Sequence, residues 1–177
     1  VEVVGLAAHG SMWQTGVDAI TKMGKVLTGL DAISAKLEKG NKHPLLGPAS
    51  VHAGIIKGGL ELSTYPDKCL LQIERRTIPG EEKKDVEAEM EILLKGIADK
   101  DPKFKASYDI TFYRGPMDVP ESSDICQSIV ACSKEAIGVT PQFYGGAGWM
   151  DTQIMWEKGI PAVAYGPAGD GAPAVSG

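Results

Sequence analysis

The amino-acid sequence predicts an α+β domain in which one antiparallel sheet carries two helices on a single face. Apolar residues recur every three or four positions in two stretches, residues 16–39 and 79–100, as is typical of amphipathic helices. Short apolar or alternating runs that end at glycine or proline lie before, between and after these stretches, as strands do. The resulting order is strand, helix, two strands, helix, strand, which is the split βαβ arrangement of a ferredoxin-like domain with a four-stranded sheet.

The first half of this pattern begins with a strand predicted over residues 1–10, a run rich in valine that closes with glycine. A helix is predicted from Gly16 to Lys39, and Gly40 is placed to end it. Residues 41–48 contain two prolines and are expected to form a loop.

The second half begins with a strand predicted over residues 49–59, and a further strand is predicted over residues 69–78. In the latter, alternation puts one set of side chains on one face, Leu71, Ile73 and Arg75, and the other set on the opposite face, Gln72, Glu74 and Arg76. The helix over residues 79–100 has an acidic first turn, which suits a helix N-terminus. Residues 106–115 alternate again and predict a last strand, with three large residues on one face, Tyr108, Ile110 and Phe112.

The remaining third of the sequence does not belong to this sheet. A capped helix is predicted to start at Ser122 or Ser123, and a short helix is expected to end at Gly159. The run over residues 161–165 is typical of a buried parallel strand, whose sheet would have to lie elsewhere. We therefore predict two parts: residues 1–117 as the ferredoxin-like domain, and residues 118–177 as the last part of an incomplete α/β domain.

The composition and net charge indicate which classes of function find no support in the sequence. The net charge of −5 gives no support for a nucleic-acid or membrane surface, and the apolar runs are too short to span a bilayer. The three cysteines form no CxxC pair, which favours a reduced, cytoplasmic setting. The chain begins at Val1 inside a strand-like run with no export signal, so we expect it to be a piece of a longer protein.

His9 is the first candidate for chemistry, because it is one of only three histidines and lies where a strand is predicted to end. It is either a turn residue with a satisfied ring or a side chain directed away from its own sheet. The other two, His43 and His52, stand in no metal-binding spacing with it or with each other. A catalytic zinc needs about three protein ligands, so no catalytic metal is expected in this chain alone.

Two further features are candidates for binding a carboxylate. Arg76 is expected either to pair with Glu74 on its own strand face or to offer its planar guanidinium to a substrate carboxylate. Residues 144–152, with the sequence YGGAGWMDT, expose backbone amides before a predicted helix, and such a loop favours anions. There is no GxSxG motif and no P-loop motif, so serine-triad catalysis and phosphate binding by such a loop find no support.

Taken together, these segments resemble a known family. In order and approximate spacing they are AAHGSMWQTGVDAI, GPASVHAGIIKGGLELSTYPDKCLLQIERRTIPGE and GGAGWMDTQIMWEKGIPAVAYGPAGDGA. They resemble the zinc-dependent exopeptidases and amidohydrolases that include acetylornithine deacetylase, succinyl-diaminopimelate desuccinylase and aminoacylase. The GxIxGG turn, followed by PD, an acidic-x-Arg and PGE, is the most specific part of the resemblance.

The resemblance implies a two-domain enzyme with a metal-bearing α/β catalytic domain and an inserted ferredoxin-like lid that forms a homodimer. Residues 1–117 would be that lid, and the early metal ligands of the family would precede it. His9 would reach the active site of the neighbouring subunit and stabilise the developing oxyanion, while Arg76 would bind the substrate α-carboxylate. Gly145, Gly146 and Gly148 would lie beside that carboxylate.

Two departures from the family pattern affect this expectation. Ser63 stands where many members have an asparagine that contacts substrate, and Pro173 stands where the family has a metal-binding histidine. The sequence thus predicts part of a hydrolase that cleaves N-acyl amino acids or short peptides with two divalent metals, expected to be zinc, held by the parent enzyme. The chain alone is expected to be inactive. The alternative is a dimerisation or binding module without catalysis.

Overall fold

The computed structural model describes residues 1–166, and the chain divides into two compact units, Val1–Pro116 and Met117–Gly177. The elements in chain order are β1 (Glu2–Val4), a 3₁₀ turn (Gly10–Met12), α1 (Ala19–Lys39), β2 (Lys42–His43), β3 (Gly47–Pro48), β4 (Ser50–Gly58), β5 (Lys68–Arg76), α2 (Lys83–Ala98), β6 (Lys105–Ser107), α3 (Asp124–Ile137) and α4 (Thr152–Glu157). Pro173 lies outside the described residues.

The first unit contains a four-stranded sheet with the order β4-β5-β1-β6, in which every pair of neighbours is antiparallel. β4 and β6 are its outer strands. In β4 the register shifts between Ala53 and Ile55, so that Gly54 forms a β-bulge and has no pairing partner on β5. The predicted ferredoxin-like α+β class is confirmed.

α1 and α2 pack against each other and cover the sheet with their apolar stripes. Asp18 caps the N-terminus of α1, because its carboxylate accepts a hydrogen bond from the backbone N–H of Thr21 at 2.9 Å and satisfies one of the open amides of the first turn. The core combines residues from both helices, from the sheet and from the loop before β6, chiefly Val3, Met23, Val26, Leu30, Cys69, Leu71, Leu94 and Phe104. No helix within residues 1–166 is long and apolar enough to cross a membrane.

The first strand is shorter than the sequence predicts, because the chain changes partner at Gly5. Glu2–Val4 pair with β5, but the next residue donates its N–H to the carbonyl of Asp67 and Leu6 then pairs with Val17. An added Cβ on Gly5 would lie 2.1 Å from the carbonyl oxygen of Val17. Only glycine fits where these segments converge.

The last strand is also shorter than predicted, because its partner β1 is short. The prediction of a strand over residues 106–115 was wrong beyond Ser107. β6 pairs only with the three residues of β1, so the chain beyond it has no ladder partner. Tyr108 packs against the core, whereas Phe112 is 68% exposed and does not share a buried face with it. The loop predicted over residues 41–48 instead contains the small β2–β3 pair.

The second unit contains the two helices that the sequence predicts. α3 follows Ser123, as predicted, and ends at Gly138, which adopts the left-handed conformation. The predicted strand over residues 161–165 does not form: no residue of this unit up to residue 166 lies in a strand. A buried strand needs hydrogen-bonding neighbours, and the described part of this unit contains none.

Candidate functional site

His9 is exposed and caps the 3₁₀ turn that follows it. Its Nδ1 atom accepts a hydrogen bond from the backbone N–H of Ser11 at 3.2 Å and lies 2.8 Å from the Ser11 hydroxyl oxygen. Because Nδ1 acts as an acceptor, the neutral ring carries its proton on Nε2. The turn thus fixes the ring and leaves an N–H donor on the far nitrogen.

Ser63 lies beside His9, because the two segments pair through their backbones. His9 forms a bridge with Thr64, and the N–H of Gly10 donates to the carbonyl of Ser63 at 2.7 Å. The Ser63 hydroxyl donates to the carboxylate of Glu61 at 3.2 Å, and the Thr64 hydroxyl donates to the same oxygen at 2.5 Å. These hydrogen bonds, that from Thr64 first, lower the pKa of Glu61. The single hydroxyl proton of Ser63 is therefore engaged by Glu61, and the hydroxyl can act toward a ligand only as an acceptor.

Arg76 is the last residue of β5, and its side chain is about half exposed at 47%. Nη2 donates to Glu74 Oε1 at 2.8 Å, so the ion pair that the sequence suggests is present. The other oxygen of that carboxylate lies 3.6 Å from Nε2 of His52 on β4. An ion pair as exposed as this one contributes little to stability, so it leaves room for a ligand to compete for the guanidinium.

Arg75, the residue next to Arg76, forms a buried charge network that sequence reasoning missed. Its side chain is only 7% exposed and lies between the carboxylates of Glu81 and Glu89. Burial lowers the pKa of Arg75, but the hydrogen bonds that it donates to Glu81 and Glu89 outweigh that effect and raise the pKa above its ordinary value. The signal was present in the sequence, since alternation puts this cation on the buried face with Leu71, where a charge requires partners.

The structure brings His9 and Ser63 together but places Arg76 far from both. β5 runs eight residue steps from Lys68 to Arg76, which is about 26 Å at ~3.3 Å per residue. The pairing of His9 with Thr64 lies beyond the Lys68 end of that strand. The two candidate groups therefore lie at opposite ends of the sheet.

The three glycines of the predicted anion loop belong to the second unit. Gly145, Gly146 and Gly148 precede α4 in a segment without regular structure. A Cβ on Gly148 would meet nothing within 4 Å, and one on Gly146 would meet only the end of the Met150 side chain. Crowding therefore does not demand glycine at those two positions, and the role of the loop in binding stays a prediction.

No group of three or more His, Cys, Asp or Glu side chains within residues 1–166 is arranged to hold a metal ion. The described residues therefore do not form a metal centre, and the candidate site of the first unit consists of hydrogen-bond donors and charged groups.

The fold and these groups define a class: a two-layer α+β domain with one long open sheet edge and polar groups at both ends of one strand. Residues 1–102 match the family model described as the peptidase dimerisation domain, M20_dimer. This match covers more than half of the chain, and the chain belongs to that family. The expected relationship to the exopeptidases and amidohydrolases is confirmed at the level of the family.

Three known proteins are similar to this chain. An acetylornithine deacetylase of Myxococcus xanthus is 27% identical over 172 residues, covering 94% of this chain and 43% of that protein. Among solved structures, the aminopeptidase PepT of Bacillus cereus matches with a TM-score of 0.66 at 21% identity, over 90% of this chain and 40% of that one. A tripeptidase of Staphylococcus aureus matches with a TM-score of 0.62 at 16% identity, over 90% and 40%. The chain thus spans less than half the length of each, and the two structures support the fold alone.

Proposed function

We propose that this chain is the dimerisation domain, with an adjoining segment, of a hydrolase that cleaves the amide bond of N-acyl amino acids or short peptides. The family match over residues 1–102 and the likeness to a deacetylase support the reaction class. The observation that carries the proposal is the exposed His9 ring, fixed by Ser11 with its donor nitrogen directed away from that contact.

The proposed dimer forms through β4. This outer strand has nine residues, whereas the other outer strand, β6, has three. Ile55 and Ile56 on β4 are 49% and 50% exposed. A long apolar strand edge readily pairs with another chain, and a two-fold axis lets the same edge serve both copies.

The distance between the candidate groups determines how they would be shared. A substrate the size of a dipeptide spans about 7 Å, far less than the ~26 Å that separates the ends of β5. One copy of the chain therefore cannot apply both His9 and Arg76 to one substrate molecule. In a dimer, Arg76 serves the active site of its own subunit and His9 serves that of its mate.

Each group has a chemical task that suits its geometry. Nε2–H of His9 donates a hydrogen bond to the oxygen of the scissile carbonyl as negative charge develops there. The guanidinium of Arg76 binds the α-carboxylate through two parallel hydrogen bonds. Ser63 contributes as an acceptor, since its proton is engaged by Glu61.

The resemblance also implies two divalent metal ions in the parent enzyme, expected to be zinc, which would activate water. The residues described here do not fit such a centre, because none of them form a metal-binding group. The ligands would have to come from residues outside the described part.

A non-catalytic dimerisation or binding module is the second candidate, and the same observation on metal-binding groups within residues 1–166 favours it. The two candidates make different predictions for the full-length protein. The proposed hydrolase releases the acyl group from an N-acetyl amino acid, whereas a binding module only forms dimers.

A subunit-mixing experiment tests the proposed sharing. Dimers of full-length His9→Ala and Arg76→Ala are each expected to lose about a hundredfold or more in activity. After the two are mixed and exchanged, half of the dimers carry one intact site, so about a quarter of wild-type activity returns. A mixture of His9→Ala with the His9→Ala/Arg76→Ala double variant should regain none. Absence of recovery in the first mixture, despite demonstrated exchange, would refute the sharing.

The β4 interface has its own test by sedimentation. Replacing Ile55 and Ile56 by aspartate is expected to give monomers, because charge on the edge disfavours strand pairing. The matched control is Ile92→Asp, which charges an equally apolar residue that is 74% exposed on α2. A dimer that survives the edge substitutions would contradict the proposal, and loss of the dimer in the control would show that the effect of charge is not specific to the edge.

A further inference from the structure

We propose that Arg75 is a positioning residue, which holds Arg76 in place for binding the substrate carboxylate through a buried network with Glu81 and Glu89. This inference rests on the proposed function, since it concerns the residue that would bind the carboxylate there. It adds three residues that neither the family resemblance nor the comparisons assign.

The contacts of Arg75 connect the end of β5 to α2 and to the residue beside it. Nη2 donates to Glu81 Oε1 at 2.6 Å, and Nε donates to Glu89 Oε2 at 3.1 Å. Nη1 donates to the backbone carbonyl of Arg76 at 2.8 Å. One planar group therefore fixes the helix on one side and the carbonyl of its neighbour on the other.

Glu81 extends this network into the turn after β5. Its Oε2 atom accepts a hydrogen bond from the backbone N–H of Ile78 at 2.9 Å, so the turn that leads from Arg76 to α2 is fixed at its middle. Glu81 is the last residue of the PGE segment, so the network gives that segment a physical purpose.

The charge balance also favours a positioning role. Two adjacent arginines end β5, and both carry a positive charge at neutral pH. The carboxylates of Glu81 and Glu89 enclose the buried guanidinium of Arg75, whereas the guanidinium of Arg76 is about half exposed and pairs with Glu74. Arg75 therefore serves the structure of this end of the strand, and the Arg76 side chain stays accessible to a ligand that competes with Glu74.

The experiment separates positioning from simple stabilisation. In the full-length protein, KM and kcat are measured for N-acetyl-L-ornithine and for its carboxamide, with wild type and Arg75→Lys. Lysine keeps the charge between the two carboxylates, which favours folding, but its ammonium group cannot reproduce the guanidinium fork and the carbonyl contact together. We expect KM for the carboxylate substrate to rise about tenfold or more with kcat retained, since small misplacements of a binding group are costly. KM for the carboxamide should not change.

The control is Asp101→Asn, which disrupts another buried ion cluster in the same unit. Asp101 accepts hydrogen bonds from Lys22 and Lys25 beyond the last residue of α2, and the end of that helix lies about 14 Å along its axis from Glu89. This variant should lose stability while it retains the wild-type ratio of the two KM values. Backbone ¹⁵N relaxation of Arg76 gives a readout other than activity, and increased motion is expected only in Arg75→Lys.

The outcomes are distinct. If wild type does not prefer the carboxylate substrate, the proposed role of Arg76 fails and this inference fails with it. If wild type prefers it and Arg76→Gln abolishes that preference, but Arg75→Lys retains it, only the positioning role of Arg75 is refuted. An equal change of the ratio in Asp101→Asn would also refute that role, because it would show a general effect of lost stability.

Discussion

Gly5→Ala should be among the most damaging single-methyl changes in the first unit. The added Cβ would lie 2.1 Å from the carbonyl oxygen of Val17, 2.7 Å from that of Pro66 and 2.9 Å from the nitrogen of Ala19, whereas real Cβ contacts essentially never fall below 3.0 Å. All three atoms belong to backbone, and the N–H of Ala19 donates to the carbonyl of Pro66. Relief of the clash therefore requires segments of the chain to separate by nearly an ångström.

The cost follows from what must move. Forcing extra volume into a packed site lowers the free energy of unfolding by about 1–3 kcal/mol when side chains can adjust. Because this site is closed by hydrogen-bonded backbone, we expect a loss of about 3 kcal/mol or more. Urea denaturation monitored by circular dichroism should show a midpoint lower by about 1–3 M, given slopes of ~1–3 kcal/mol per molar for small proteins.

Gly24→Ala is the matched comparison for the same added methyl group. Gly24 is exposed within α1, and a Cβ there would meet nothing within 4 Å. Alanine should stabilise the helix by about 0.5–1 kcal/mol, because it loses less backbone freedom on folding. Equal midpoints for wild type and Gly5→Ala, or a lower midpoint for Gly24→Ala, would refute the reasoning from close approach.

Three further measurements test local features of the first unit. Asp18→Ala removes the α1 cap that accepts from Thr21 and should cost about 1 kcal/mol in urea unfolding, whereas Asp18→Asn should restore most of it. Hydrogen bonds from two lysines hold the pKa of Asp101 well below its ordinary value, so its contribution is complete above about pH 4 and disappears as the pH falls toward the folded-state pKa. The urea midpoints of wild type and Asp101→Asn should therefore converge on acidification, and a constant difference between them would contradict this. Burial raises the pKa of the Cys69 thiol, so Ellman's reagent should label exposed Cys132 quickly and Cys69 only after unfolding.

Periodicity in the sequence was sufficient to predict the large elements. The apolar stripe of α1 and the alternation along β5 depend on the burial of one face, which a sequence records residue by residue. The order of these elements then restricts the topology to a few arrangements, and the ferredoxin-like fold is the one that this order predicts.

The lengths of β1 and β6 could not be obtained in this way, because a strand ends where its partner ends. Residues 108–115 alternate as a strand does, but β1 offers β6 only three residues to pair with. The close approach at Gly5 is equally invisible in a sequence, since it depends on segments that meet only in the folded chain. The strand predicted over residues 161–165 does not form for a related reason, because an apolar run becomes a strand only when a neighbouring strand pairs with it.

The candidate site shows the same limit. Sequence reasoning named His9 and Arg76, but it did not reveal that the length of β5 separates them, nor that Arg75 is the better buried of two adjacent arginines. Chemistry can be suggested by residue types and family likeness, whereas the assignment of groups to one substrate or two requires distances.

The extra residue in β4 has a consequence for the solubility of this domain. An open apolar edge is the usual starting point for fibril growth, in which flat strands stack in register without limit. Gly54 interrupts that flatness, because a bulge bends its strand and increases the local twist. A strand bent in this way is a poor template for endless stacking, so the bulge limits the aggregation hazard of this edge whenever no second copy covers it.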